Sequence, residues 1–181
     1  MDHPPSTLDI LNALEERLSA LRWQYERAFT WVARYDRTDL AAALEEGQTA
    51  ADRVCLLLYE GDRFENIHHG RRLYVRKTAQ VSLLIADRQS ASRAAAVFGS
   101  PENPGAVALK DLVLGLWPRF ASDPIPVPGL LLNTAFVQPI SAVPLSLDDR
   151  VSALSGRGAW LVRLEIIGGQ LNLDLGQSPF F

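Results

Sequence analysis

Between Leu73 and Ile85 the chain alternates. Leu73, Val75, Ala79, Val81, Leu83 and Ile85 share one parity, while Arg72, Tyr74, Arg76, Thr78, Gln80 and Ser82 share the other. A period of two over this span predicts a half-buried β-strand and excludes a helix, whose period is 3.6. At ~3.3 Å per residue the strand is about 40 Å long, well beyond the usual strand. A chain of 181 residues suits one domain, and such a domain is too small to cover so long a strand throughout. One end is therefore expected to project as a β-ribbon. Lys77 breaks the apolar parity and marks the expected site of a bend or bulge.

The flanking segments fill out a compact α/β (α+β) domain. Val54-Cys-Leu-Leu-Leu-Tyr59 is apolar at both parities, as an inner strand covered on both faces should be. A Glu60-Gly61 turn and a polar, exposed loop from Gly61 to Gly70 are expected to follow, closing on Gly70-Arg71-Arg72. Beyond Ala86-Asp87-Arg88, Ser90 is placed to cap a helix through Ala94 to Phe98 that Gly99 stops. Leu109, Leu112, Val113, Leu116, Trp117 and Phe120 form the stripe of a second helix, broken at Pro118. Asp123 to Gly129, rich in proline, reads as an extended connector. Leu130 to Gln138 and Ala159 to Ile167 read as strands, with Pro139 to Gly158 as a long loop between them and Gly168-Gly169 as a turn. Residues 170–181 are expected to form an extended C-terminal arm that ends on Phe180 and Phe181.

At the other end, Ser6 or Thr7 can cap a helix with Asp9 in its first turn. The stripe Leu11, Leu14, Leu18, Leu21, Tyr25, Ala28, Val32 predicts one long helix. Trp23, Phe29 and Trp31 fall off that stripe and must pack either in the core or against another chain. Charges thicken from Arg34 to Asp52, where Leu40 to Glu46 reads as a short helix ending at Gly47.

Composition narrows the function. Apolar residues make up 48% and charged residues 22%, as in a globular protein, and the formal charge of -3 gives no reason to expect general nucleic-acid affinity. The N-terminal Met-Asp-His-Pro-Pro lacks the layout of a signal peptide, and no apolar run approaches the ~20 residues of a membrane span. A cytosol-like compartment is the expectation. Cys55, the only cysteine, lies inside the apolar run and reads as a small buried hydrophobe.

No set of residues suits catalysis, and no cofactor or metal is expected. His68 and His69 are adjacent on an extended segment and point to opposite faces, which makes joint metal ligation unfavourable. Gly99 to Gly105 has neither the spacing nor the Lys-Ser/Thr of a phosphate loop, and there is no GxSxG elbow. The one local charge feature is Arg71, Arg72, Arg76 and Lys77. It reads as a charge-protected ribbon edge, as a docking strip for an acidic protein surface, or as a DNA contact that the acidic whole disfavours.

The order of these signals resembles the Gp37 family of Mu-like bacteriophages, the tail terminators. The features that carry the resemblance are Leu-Glu-Glu-Arg-Leu at 14–18, Leu-Leu-Leu-Tyr-Glu-Gly at 56–61 and Gly70-Arg71-Arg72 before the long strand. Ala86-Asp87-Arg88 before an alanine-rich helix and Pro104 to Leu109 opening the next helix add to it. It spans roughly residues 8 to 167; the charged segment Arg34 to Asp52 and the prolines of 123–129 depart from the pattern. The resemblance implies a mixed β-sheet flanked by helices, assembled as a homohexamer ring. Such a ring caps the head-proximal end of the tail tube and stops its polymerisation. It meets the tube protein, the neck or connector protein and, in contractile tails, the sheath, while DNA only passes through the lumen. Virion and host cytoplasm are then the expected locations. Arg71, Arg72, Tyr74, Arg76, Lys77, Phe180 and Phe181 are the expected assembly residues. Another neck protein, a small cytosolic enzyme and a strand-adding binding module are the competing readings.

Overall fold

The computed structural model describes residues 6–35, 52–69, 72–88, 93–101, 103–115, 136–145 and 157–173. Its frame is a five-stranded mixed sheet in the order β3-β4-β5-β7-β6, made by Trp31–Tyr35 (β3), Arg53–His69 (β4), Arg72–Arg88 (β5), Phe136–Pro144 (β6) and Arg157–Leu173 (β7). β3 runs parallel to β4; all other neighbours are antiparallel. Helices α1 (Thr7–Ala20), α2 (Arg93–Phe98) and α3 (Gly105–Val113) accompany the sheet. The α+β class expected from the sequence is the one observed. No described helix is long and apolar enough to cross a membrane.

The expected apolar row of β5 is buried from Ala79 to Ile85, but the strand is not half-buried throughout, because Thr78 and Ser82 of the opposite row are buried as well. Ala79, Val81, Leu83 and Ile85 are buried on one face beside Cys55 and Leu57 of β4 and Val162, Leu164 and Ile166 of β7. Ile10, Leu14 and Leu18 of α1 and Leu109 and Val113 of α3 close over that face. Val54, Leu56, Leu84, Ala86 and Ala159 form a smaller cluster on the opposite face, so β4 is covered on both sides where its sequence is wholly apolar. Burying each of the Val, Leu and Ile side chains among them contributes roughly 1.5–3 kcal/mol.

Several expectations are corrected. The N-terminal helix stops at Ala20, with Leu21 extended at its end. The chain then forms a hairpin, β1 (Arg22–Trp23) against β2 (Glu26–Arg27), through Gln24 at φ 55. A helix continued to Val32 would have left Trp23 and Phe29 off the buried face. Turning the chain carries both into the core and leaves Tyr25 93% exposed; the aromatic-rich segment also favours strand. Trp23 and Phe29 are thus core residues, as one of the two readings had it.

Residues 61–69, expected as a loop, continue β4 and pair with 72–80 of β5. Pro139 to Pro144, expected as part of a loop, belong to edge strand β6, where a missing N–H is tolerated. Gly168-Gly169 do not turn the chain, because β7 runs on to Leu173 and includes residues 170–173 of the expected arm. The first helix signal after β5 is met at 93–98. The second, α3, closes on Leu114 and Gly115 (φ 71), well before Pro118. Between the two helices a close approach requires glycine: a Cβ on Gly105 would lie 2.2 Å from the backbone nitrogen of Gly99. Ser90, residues 40–47, 116–135 and 174–181 lie outside the described residues.

Candidate assembly surface

Past the first turn of α1, three strands of the sheet run on together. Residues 63–69 of β4 and 168–173 of β7 flank 72–76 of β5, while the described residues of β3 reach only as far as Leu58 and those of β6 only as far as Ile167. We call this part the arm. At its root two ladders carry an irregularity. Glu60 is the extra residue of β4 between the pairs Tyr59–Val81 and Gly61–Gln80. Gly168 and Gly169 together face the single residue Lys77, between the pairs Thr78–Ile167 and Arg76–Gln170. The break in apolar parity at Lys77 is therefore a bulge, as its position suggested. Bulges re-aim a strand and increase its twist.

Lys77 lies on the same face as the apolar row. Its Nζ stands 3.3 Å from Oδ2 of Asp62, and the two side chains retain only 19% and 15% of their exposure. The Thr7 hydroxyl donates to Asp62 Oδ2 at 3.0 Å and accepts from the Lys77 ammonium. Thr7 opens α1, whose start is fixed by a capping box: Ser6 Oγ accepts from the Asp9 amide at 3.1 Å, and the Ser6 amide donates to Asp9 at 3.0 Å. The Ser6 hydroxyl also donates to Asp9 Oδ2 at 2.6 Å, and this bond, then the one from the Ser6 amide, holds the carboxyl of Asp9 below its ordinary range. The helix start, β4 and β5 thus meet at one polar node. Tyr59 adjoins it, and burial, then its hydrogen bond to Asp62, push its phenol up.

The other face of the arm root carries a second polar set. Arg63 reaches Glu165 at 3.3 Å, Gln80 donates to Glu165 at 3.5 Å, and Ser82 donates to Glu60 at 2.5 Å. Further out, Arg76 lies 3.5 Å from Glu65. Opposite charges across neighbouring strands stabilise such pairings modestly.

The expected interface residues divide between these faces. Arg76 and half-buried Tyr74 share one face, and Lys77 is on the other, tied into the node. Arg72 is paired opposite His69, but its side chain is not among those described. Arg71, Phe180 and Phe181 lie outside the described residues. Sequence reasoning missed Asp62, Arg63, Phe64 and Glu65, having assigned them to a loop. The available signal was the length of β5 itself: a strand that long needs a partner of equal length, and the preceding segment is the nearest one.

Among the described residues no group of three or more His, Cys, Asp and Glu could hold a metal ion. Cys55 is fully buried, and burial pushes its thiol up, away from the reactive thiolate. In contrast, Phe64 is 64% exposed on one face of the arm, with Arg63 and Glu65 exposed on the other. Compared with known proteins, the chain matches no family model and no curated protein.

Proposed function

We propose that this chain is a structural virion protein, a tail terminator. It forms a homohexamer ring at the head-proximal end of the tail tube, stops tube polymerisation and joins the tail to the neck or connector. The arm is the observation that carries this reading. Three strands run beyond the start of α1 with charged residues and an exposed phenylalanine, a form suited to contacts between neighbours and costly as bare surface. The order of sequence signals shared with Mu-like tail terminators supplies the rest.

In this reading the arm projects from the subunit toward a neighbour or the tube. Arg72, Tyr74 and Arg76 line one of its faces, and the node around Lys77 fixes its attitude. The mildly acidic chain suits a ring through which DNA passes without being held, since a basic lumen would retain the phosphate backbone. Deleting the gene from its phage tests the proposal by electron microscopy of lysates. Tails of uncontrolled length, unattached to heads, are expected. Normal tails on full heads refute it.

A further inference from the structure

The outer edge of the arm is a β4 edge with no partner strand among the described residues, since β3 pairs only with Val54 to Leu58. The far edge of the sheet is protected: β6 carries Pro139 and Pro144 and a bulge at Ile140. The arm edge, Asp62-Arg63-Phe64-Glu65-Asn66-Ile67-His68, has no proline and no bulge beyond Glu60.

We propose that this edge pairs with the same edge of a second copy, antiparallel and about a two-fold axis through Phe64. Charge complementarity favours that one register. Centring on Phe64 sets Arg63 of each copy opposite Glu65 of the other, so two ion pairs form on one face of the joined sheet. On the other face Phe64, 64% exposed in the single chain, meets its own copy. Outside that core, Asp62 faces Asn66 and Glu60 faces His68. A shift by one residue in either direction loses the reciprocal Arg–Glu pairs and the aromatic contact. Arg63 and Glu65 each have a partner within the chain, Glu165 and Arg76, but remain 60% exposed and so within reach of a second copy. The alternative edge in the arm, residues 168–173 of β7, reads Gly-Gly-Gln-Leu-Asn-Leu and offers no charge to either residue.

Pairing of residues 60–68 gives a contact about 30 Å long. One added strand on each side lies at the small end of specific interfaces, so the dimer is weak and concentration-dependent. It is isologous and self-limiting. The inference does not rest on the ring reading.

Sedimentation velocity from low to several hundred micromolar, with melting curves to confirm folding, tests it by charge exchange. Arg63→Glu sets like charges against Glu65, and Glu65→Arg does the same against Arg63; each should raise the dimer dissociation constant by at least ~10-fold. Combining them restores opposite charges and should return association to near the parent value. Phe64→Cys tests the register: directly opposed antiparallel residues lie within disulfide reach, so under air oxidation it should cross-link faster than Arg63→Cys or Glu65→Cys. A monomer at every concentration overturns the proposal, as does a double variant no better than the singles. A hexamer indifferent to all these changes also overturns it, while leaving the ring reading intact.

Discussion

Lys77 gives the sharpest stability prediction. It is a cation in an apolar row, and it persists because Asp62 lies 3.3 Å away and Thr7 bridges the two. Removing one member of a fully buried ion pair costs about 3–5 kcal/mol, because the charge left behind is stranded. Here the side chains keep 19% and 15% of their exposure, and Thr7 still donates to Asp62. We therefore expect Lys77→Met to destabilise by about 2–3 kcal/mol, and Asp62→Leu by a similar amount. The double variant replaces the pair by apolar groups and should cost about 2 kcal/mol, no more than either single change, giving a coupling of about 3 kcal/mol in a double-mutant cycle. Urea denaturation of the four proteins measures it. Arg63→Ala, which loosens an ion pair whose arginine is 60% exposed, is the control and should cost less than about 1 kcal/mol. A Lys77→Met protein within about 0.5 kcal/mol of the parent, or additive single losses, would refute a buried node.

Three further outcomes follow from the same structure. Leu109→Ala, at a fully buried helix position, should cost about 2–5 kcal/mol by denaturant titration, and Leu112→Ala, only partly buried, clearly less. Burial raises Cys55 above its ordinary 9.0, so the folded thiol keeps its proton where an unfolded one loses it. Stability is then full below pH 9 and falls as pH rises, by about 1.4 kcal/mol per pH unit from this group. Cys55→Ala should remove that share of the alkaline slope in pH-dependent unfolding, whatever it does to stability at neutral pH. Replacing both Arg72 and Arg76 by Glu should weaken ring or tail assembly, scored by electron microscopy, with a melting temperature close to the parent's.

Much of the fold was legible because burial imposes its period on the sequence. The β5 alternation predicts Ala79, Val81, Leu83 and Ile85 on one buried face, and the wholly apolar Val54 to Leu57 predicts a strand packed on both sides. Lys77 interrupts the apolar row at the position where the register with β7 shifts. Other elements were hidden for physical reasons. Residues 62–69 are polar because they pair through their backbones and bury little, so no side-chain periodicity marks them as strand. Pro139 and Pro144 imitate a loop, since proline is tolerated at a sheet edge. The 3-4 spacing of Leu21, Tyr25, Ala28 and Val32 was fortuitous, and the aromatics between them carried the better signal. The node at Thr7, Asp62 and Lys77 joins residues distant in sequence, which no local pattern could connect.

The central claim is the chain's place in a virion. Electron microscopy of purified particles carrying an affinity tag on this chain, labelled with gold, tests it most directly. The account predicts label at the junction of head and tail, with six copies per particle when the tagged chain is quantified. Label along the tube, at the distal tip or absent from particles altogether would contradict it.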